Sequence, residues 1–413
     1  FAVCADTRRG LAEVGAQFYG NPAEKLKIIG VTGTNGKTTT TYLIKQVLDL
    51  LGHKTGLIGT NQNIVGDVVM PAARTTPESL DLQKLFFDMV ESGVEYVIME
   101  VSSHSLALSR THGITFHEAV FTNLTQDHLD FHETMEKYME CKAKLFSQAR
   151  HGVLNADDAY GLRIAEKATC PVSTYGLSEK SDLRGENIRL SERGVICSTK
   201  VNGMPYEVRL GIPGMFSVYN ALAATAACLG MGIPMDDILK GLVLAKGVKG
   251  RAEVVHIPTP YTVLIDYAHT PDGLENIIST VRGFAKGKVI TLFGCGGDRD
   301  KTKRPKMGEI AGRLSDYAVV TSDNPRTEDP SAIIRDIEAG MTEYREKYTV
   351  VENRKEAIRY AMEYAGEGDV IILAGKGHET YQDINGVKHH FDDYEIALEA
   401  MQATEDEFVA QEA

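Results

Sequence analysis

Two α/β domains, each built on a mainly parallel sheet, are the fold this sequence predicts. Three observations predict it. From Leu26 onward, short β-branched runs alternate with amphipathic helical stretches, the pattern of βαβ units. A second series of the same kind starts near Val254, after a Gly247-Val248-Lys249-Gly250 stretch that reads as a hinge. A chain of 413 residues is also too long for one ordinary core.

Taken in order, residues 1 to 25 carry weak periodicity and end in the turn cluster Tyr19-Gly20-Asn21-Pro22, so they read as a linker or the tail of something upstream. Residues 26 to 250 form the central domain. Its expected strands are Lys27–Val31, Thr55–Ile58, Tyr96–Glu100, Ala119–Thr122 and Gly152–Leu154. Its expected helices are Thr38–Leu51, Glu78–Glu91, Met135–Ala149 and Ala159–Lys167, then Ser217–Leu229 and Met235–Leu244. Short alternating segments between Asn187 and Leu210 predict an antiparallel meander. Residues 251 to 413 form the last domain, with strands Tyr261–Ile265, Lys288–Phe293, Tyr317–Thr321 and Val370–Leu373. Its helices are expected over Asp272–Phe284, Lys306–Leu314, Pro330–Met341, Lys355–Tyr364 and Asp393–Met401. Two such domains facing each other across a hinge would leave a ligand cleft between them.

Composition narrows the function. The chain is 43% hydrophobic and 24% charged, with a net charge of −13. That charge argues against general binding to nucleic acid or anionic membranes, which need clustered Lys and Arg. Six scattered cysteines with no C-x-x-C spacing fit neither a disulfide framework nor a zinc site, and point to a reducing cytoplasm. No apolar run approaches the ~20 residues that span a bilayer. The chain begins at Phe1 rather than Met, so an upstream segment is expected to have been removed or left out.

Gly33-Thr34-Asn35-Gly36-Lys37-Thr38-Thr39-Thr40 carries the strongest chemical signal. Strand, glycine-rich turn, Lys-Thr and helix together make a phosphate cradle. The glycines turn backbone N–H groups inward, Lys37 reaches the β/γ-phosphates, and Thr38 can ligate Mg²⁺. The first glycine of the strict motif falls on Val31, with Gly30 and Gly33 beside it. The central domain is therefore expected to be a P-loop ATPase domain.

Glu100 ends a strand where ligands of open α/β sheets gather, and beside a P-loop it suits Mg²⁺. Taken alone it is equally a solvated acid closing a strand. Ser102, Ser103, His104 and Arg110 follow it and would line the cleft; adjacency in sequence does not make Ser-Ser-His a hydrolase triad. In Asn123 to His132, His128 and His132 lie four apart among Asp127 and Asp130. That pattern is either a metal site or a helix-capping cluster. Lys142, on an amphipathic helix, reads from helix physics alone as a surface lysine.

These residues resemble a known family. Gly33 to Thr40, Glu100-Val101-Ser102-Ser103-His104, Asn123 to His128 and the Lys142 helix look like the Mur ligases of peptidoglycan synthesis, with the order of motifs preserved from about residue 5 to residue 400. The resemblance implies that Lys142 carries a CO₂-derived carbamate and that Thr38, Glu100, His128 and Lys142 form the Mg²⁺ site. It places Asn220 against adenine and brings Arg251 and Asp266 to the nucleotide; read alone, Arg251 is a hinge salt bridge. It assigns Thr75, Thr76, Ser102 and Arg110 to the UDP-muramoyl peptide. It also implies that the family's UDP-gripping N-terminal domain is largely missing, with Phe1 to Asn21 its tail.

The last domain bears on the amino acid used. Gly294 to Asp300, Asp323-Asn324-Pro325-Arg326 and Gly375-Lys376-Gly377-His378-Glu379 each follow a strand, so they can converge on one pocket in a Rossmann-like domain. A diamino diacid suits paired arginines and acids. Asp-Asn-Pro-Arg is similar to the motif of the Mur ligases that add meso-diaminopimelate, with Arg299, Asp323, Asn324, Pro325, Arg326, Gly375 and Glu379 as the contacts. Arg326 would hold the far carboxylate that lysine lacks; read alone, it is a solvated arginine after a turn proline.

The expected activity is an ATP-dependent ligase that adds meso-diaminopimelate to UDP-N-acetylmuramoyl-L-alanyl-D-glutamate through an acyl phosphate, in a cytoplasmic bacterial monomer. Two alternatives are a ligase resembling folylpolyglutamate synthase, which gives no reason for Arg299 with Arg326, and a non-catalytic nucleotide-binding module, against which Lys37, Glu100, His128 and Lys142 weigh.

Overall fold

A computed structural model describes residues 4–191, 194–245 and 247–412, with the side chains of Asp130 and of residues 403–412 outside that description. The chain divides into two compact units. One takes Phe1–Lys246 apart from two short stretches, Leu190–Gly194 and Ile212–Gly214; the other takes those stretches and Gly247–Ala413.

The first unit is centred on a mainly parallel sheet. Its strands are β1 (Lys27–Thr32), β2 (Thr55–Ile58), β3 (Gln62–Val65), β4 (Val68–Pro71), β5 (Tyr96–Glu100), β6 (Phe116–Phe121), β7 (Ala149–Asn155), β8 (Val172–Gly176) and β9 (Leu183–Arg184). They run in the order β4-β3-β2-β5-β1-β6-β7-β8-β9. All neighbours are parallel except β2-β3 and β3-β4, an antiparallel extension at one edge. A separate three-stranded sheet holds β10 (Glu186–Ser191), β11 (Gly194–Val201) and β12 (Met204–Leu210). The helices are α1 (Thr7–Phe18), α2 (Lys37–Leu50), α3 (Ser79–Glu91), α4 (Ser103–Ala107), α5 (Leu129–His132), α6 (Met135–Ala143), α7 (Ala159–Lys167), α8 (Met215–Gly230) and α9 (Met235–Val243).

Ile28, Ile29 and Val31 of β1 are fully buried, as are Val97, Ile98 and Met99 of β5. Each such side chain contributes about 1.5–3 kcal/mol by leaving water. Burial on both faces explains why these strands read as continuous apolar runs rather than alternating ones. From β1 the chain pairs with β5 on one side and β6 on the other. That reversal of direction opens a crevice at the C-terminal end of β1.

One helix is added to the expected set, and two boundaries are corrected. Residues 7 to 18 form α1, capped by the Asp6 carboxylate on the N–H groups of Arg8 and Arg9. Its periodicity is weak because the buried contacts are Ala12 and Gly15, while Leu11, Val14 and Phe18 face outward. The helix expected over Met135–Ala149 ends at Ala143, passes through a 3₁₀ turn at Lys144–Ser147, and is followed by β7 from Ala149, three residues earlier than the expected strand. Ala149 is already paired with Phe116, and that ladder outcompetes helix propensity.

The second unit has β13 (Glu253–Val255), β14 (Thr262–Asp266), β15 (Val289–Phe293), β16 (Tyr317–Val320), β17 (Tyr348–Val350) and β18 (Val370–Ala374) in the order β13-β14-β18-β15-β16-β17. Only β13 is antiparallel to its neighbour. A hairpin, β19 (Tyr381–Ile384) and β20 (Val387–His390), follows. Helices α10 (Pro271–Arg282), α11 (Lys303–Leu314), α12 (Pro330–Glu338), α13 (Arg354–Tyr364) and α14 (Asp393–Glu412) complete it. Arg354 and Asp393 are fully buried and paired through two hydrogen bonds of 2.9 and 2.6 Å. Arg354 also donates to the carbonyl of Ala374, fixing the end of β18. Among the described residues, no helix is long and apolar enough to cross a membrane.

Candidate active site

In the first unit the site is built around the turn after β1. Gly33 has φ +151° and Gly36 has φ +83°. A Cβ on Gly33 would lie 1.8 Å from Thr122 Oγ1, and one on Gly36 would lie 2.5 Å from Asn220 Oδ1. Only glycine fits either position. Around the turn, Asn35 N donates to Asn123 Oδ1 at 2.9 Å and Thr122 Oγ1 donates to Asn35 O at 2.6 Å. Lys37 folds back onto the loop, with Nζ 2.9 Å from Gly33 O and 2.7 Å from Thr34 O. Thr38 and Thr39 open α2, both buried, so the helix N-terminus meets the loop, as anion binding requires.

Glu100 is almost wholly buried. It accepts from Thr38 Oγ1 at 2.9 Å, Thr60 N at 2.8 Å and Thr60 Oγ1 at 3.0 Å. Three donors on one buried carboxylate satisfy its oxygens. The substrate-facing candidates join this network. Thr75 Oγ1 lies 3.0 Å from Thr60 Oγ1. Thr76 Oγ1 donates to Glu100 O at 2.8 Å and accepts from Ser102 N at 3.1 Å. Arg110 donates to Thr76 O at 3.1 Å and pairs with Glu78 at 2.7 Å. Asn220, buried, accepts from Thr40 Oγ1 at 3.4 Å.

Lys142 is not a surface lysine: its side chain is 1% exposed. Its Nζ donates to Gly33 O at 2.8 Å and lies 4.6 Å from the centre of the Tyr138 ring. Burial, reinforced by the Lys37 charge, holds this amine well below the usual lysine range. His128 is exposed, in a left-handed conformation (φ +53°), with its ring 4.8 Å from that of His104. His132 instead stacks on Tyr138 at 4.8 Å and bonds Ser103 Oγ at 2.8 Å. Asp130 lies outside the described side chains. Among the described residues, no group of three His, Cys, Asp or Glu side chains is disposed to hold a metal; the oxygens gathered on Thr38 and Glu100 are a hydroxyl and a carboxylate.

In the second unit, Arg251 lies over the Tyr267 ring at 5.1 Å. Asp266 accepts from Ala252 N at 2.8 Å, and burial raises its carboxyl pKa against the pull of Arg251. His378, 5.0 Å from the Tyr267 ring, is pushed down to about 4 by burial and by Arg251.

The three predicted loops do converge. Asn324 Nδ2 donates to Glu379 Oε2 at 2.9 Å. Arg326 Nη1 donates to Gly297 O at 2.7 Å, and a Cβ on Gly296 would meet both Arg326 Nη1 and Arg299 Cγ. Arg299, exposed, donates to Asp298 O. Gly375, at φ +112°, has no room for a side chain because a Cβ would lie 2.5 Å from Asp323 Oδ2. Pro325 is buried between Asn324 and Arg326, and Pro at this point sets φ for the turn. Burial, with Asp323 nearby, raises the Glu379 pKa. The cluster therefore offers guanidinium groups and carboxylates together.

Four residues escaped sequence reasoning: Thr60, Tyr138, Lys376 and Asp383. Asn385-Gly386, beside Asp383 in the β19–β20 turn, was a readable hairpin signal, and Lys376 lies inside a motif that was read; Thr60 and Tyr138 carry no local pattern.

Known proteins match this chain in sequence and fold. Residues 31–228 match the Mur ligase middle domain, and residues 250–377 match the Mur ligase glutamate ligase domain. The chain is 52% identical over 396 residues to UDP-N-acetylmuramoyl-L-alanyl-D-glutamate–2,6-diaminopimelate ligase 1 of Clostridium acetobutylicum, covering 95% of this chain and 82% of that protein. It is 51% identical over 397 residues to the corresponding ligase of Clostridium botulinum, covering 96% and 82%. A solved structure of a UDP-N-acetylmuramoyl-L-alanyl-D-glutamate–2,6-diaminopimelate ligase superposes with a TM-score of 0.73 at 33% identity, covering 98% of this chain and 84% of that one. Mycobacterium tuberculosis folylpolyglutamate synthase shares the fold, with a TM-score of 0.70 at 18% identity over 89% of this chain and 92% of its own.

Proposed function

Because the chain belongs to the Mur ligase family, we propose that it is the ATP-dependent ligase that joins meso-diaminopimelate to the D-glutamate of UDP-N-acetylmuramoyl-L-alanyl-D-glutamate. The observation that supports this most is the meeting of Arg299, Asn324, Arg326 and Glu379 at neighbouring strand ends. A second carboxylate and a second ammonium on one substrate match that mixture of charges. The folylpolyglutamate-synthase-like reading has no use for paired arginines there.

The reaction begins with attack of the glutamate carboxylate on the γ-phosphorus of ATP, which gives an acyl phosphate and releases ADP. The amine of diaminopimelate then attacks the acyl carbon, phosphate leaves, and one proton is released as the amide forms. The loop amides from Gly33 to Thr39, with the N-terminus of α2, hold the phosphates. Lys37 leaves its two loop carbonyls to follow charge on the transferring group, and Asn220 positions the nucleotide. Thr75, Thr76, Ser102 and Arg110 orient the muramoyl peptide beside Glu100.

The hydroxyl of Thr38 and the carboxylate of Glu100 are hard oxygen donors, which fits Mg²⁺. Thr38, Glu100, His128 and Lys142 as a carbamate would hold it, and the ion when bound screens phosphoryl charge. Lys142 suits carbamate formation because a buried amine with lowered pKa is a nucleophile toward CO₂. Soluble nucleotide substrates fit a cytoplasmic setting, and a monomer suffices.

Isotope transfer tests the route. With ¹⁸O in the glutamate carboxylate, one ¹⁸O should appear in the phosphate released and the product should gain one diaminopimelate less water. Unlabelled phosphate beside that product would exclude the acyl phosphate, and failure to form it would sink the assignment.

A further inference from the structure

We propose that Lys376 is a positioning residue that fixes the side-chain amide of Asn324 and thereby sets the amino-acid selectivity of the second unit. This rests on the reading above that the cluster takes a diamino diacid.

Lys376 is wholly buried, so it reaches a substrate only through other groups. A buried ammonium is costly unless its donors are engaged. Its Nζ donates to Asn324 Oδ1 at 3.0 Å and to Tyr381 O at 2.6 Å. The carboxylates of Asp323 and Glu379 each lie 3.9 Å away. Asn324 Oδ1 also accepts from Asp383 N at 2.9 Å, while Asn324 Nδ2 donates to Glu379 Oε2 at 2.9 Å. The amide thus has donors facing its oxygen and an acceptor facing its nitrogen. Flipping it would set NH₂ against an ammonium and an N–H, and oxygen against a carboxylate. One orientation survives, and it fixes the Glu379 carboxylate with it.

The same ammonium ties in the β19–β20 hairpin through Tyr381. That hairpin holds Arg326 from both sides: Arg326 N donates to Asp383 O at 3.0 Å, and Asn385 N donates to Arg326 O at 2.8 Å. Arg326 needs this support, since it sits at φ +52°, a left-handed conformation that costs a non-glycine residue about 1–3 kcal/mol. Gln382 adds a further tie, donating to Asp323 O at 2.6 Å. One buried charge therefore links Asn324 and Glu379 directly and Arg326 through the hairpin.

The test compares Lys376→Met, which keeps length but removes every donor, with Lys376→Gln, which keeps an uncharged NH₂ donor group. ADP release is measured with ATP and UDP-N-acetylmuramoyl-L-alanyl-D-glutamate, varying meso-diaminopimelate or L-lysine. In Lys376→Met the KM for meso-diaminopimelate should rise about 10- to 100-fold, as expected for an unsatisfied buried group. The KM for ATP should stay within about threefold, and the preference for meso-diaminopimelate over L-lysine should fall about tenfold, since Asn324 and Glu379 lose their fixed geometry. Lys376→Gln should recover part of both losses. An unchanged meso-diaminopimelate KM, an equal rise in the ATP KM, or a Gln variant no better than Met would overturn the role. If the Met variant fails to fold, the Gln variant decides alone: a raised meso-diaminopimelate KM with an unmoved ATP KM supports the role, and any other result overturns it. Wild-type chain that releases no ADP in response to meso-diaminopimelate overturns the underlying reading, and the inference with it.

Discussion

Lys37 and Lys142 converge on one acceptor: the carbonyl oxygen of Gly33 accepts from Lys37 Nζ at 2.9 Å and from Lys142 Nζ at 2.8 Å. Two ammonium groups so close repel, and the more deeply buried one gives way. Lys142 is that one, its pKa driven down by burial and by Lys37. The phosphate-binding loop therefore keeps at its base an amine whose charged form is disfavoured.

A buried amine with a lowered pKa should take up CO₂. With ¹³C-bicarbonate, wild-type protein should show one carbamate carbon resonance that Lys142→Ala lacks. The same substitution should lower turnover by at least about 100-fold, as removal of a group central to charge stabilisation does, and added bicarbonate should not restore it. A wild-type spectrum without that resonance in the presence of Mg²⁺ would rule the modification out.

The tight turns should be intolerant in proportion to what surrounds them. Gly250→Ala would place its Cβ 2.1 Å from His378 N at φ +71°, so backbone must move, with a cost above about 3 kcal/mol. Gly113→Ala has a similar φ of +81° but nothing within 4 Å, and should cost only about 1–2 kcal/mol. Denaturant midpoints for the two variants check this. Equal shifts would mean that crowding at Gly250 contributes nothing.

Much of this was readable from sequence because it is encoded locally. The Gly33–Thr40 run, Glu100 at a strand end and the Asp323–Arg326 turn each combine a strand with residues of special conformation. What escaped is encoded by contact across sequence. Lys142 reads as a surface lysine until the helix that carries it is seen against Gly33, 109 residues away. Lys376 sits inside a readable motif, yet its role depends on Asn324, 52 positions earlier. Thr60 holds Glu100 from the end of β2 with no pattern of its own. Helix α1 was missed because small residues make its buried contacts.

The pair Glu118–His151 predicts a pH effect far from the nucleotide loop in sequence. His151 Nδ1 lies 2.8 Å from the buried Glu118 carboxylate, and Nε2 lies 3.0 Å from Ser173 Oγ. The hydrogen bond to Glu118 raises the His151 pKa above the unfolded value of ~6.5. A raised folded pKa adds stability that is fully present below the unfolded pKa and is lost as pH rises through the folded one. Wild-type stability should therefore fall relative to His151→Gln as pH climbs from about 6 upward. A constant difference between the two proteins across that range would show the pair to be silent.

Selectivity at Arg326 tests the central claim most directly. ADP release is followed with ATP, UDP-N-acetylmuramoyl-L-alanyl-D-glutamate and, in turn, meso-diaminopimelate, L-lysine and glutamate, for wild type and Arg326→Ala. Wild type should respond to meso-diaminopimelate about 30- to 150-fold better than to the others, since a lost charge-assisted pair costs about 2–3 kcal/mol. Arg326→Ala should lose most of that margin while its KM for ATP stays put. A wild type that prefers L-lysine or glutamate, or a variant that loses ATP and diaminopimelate equally, would contradict the assignment.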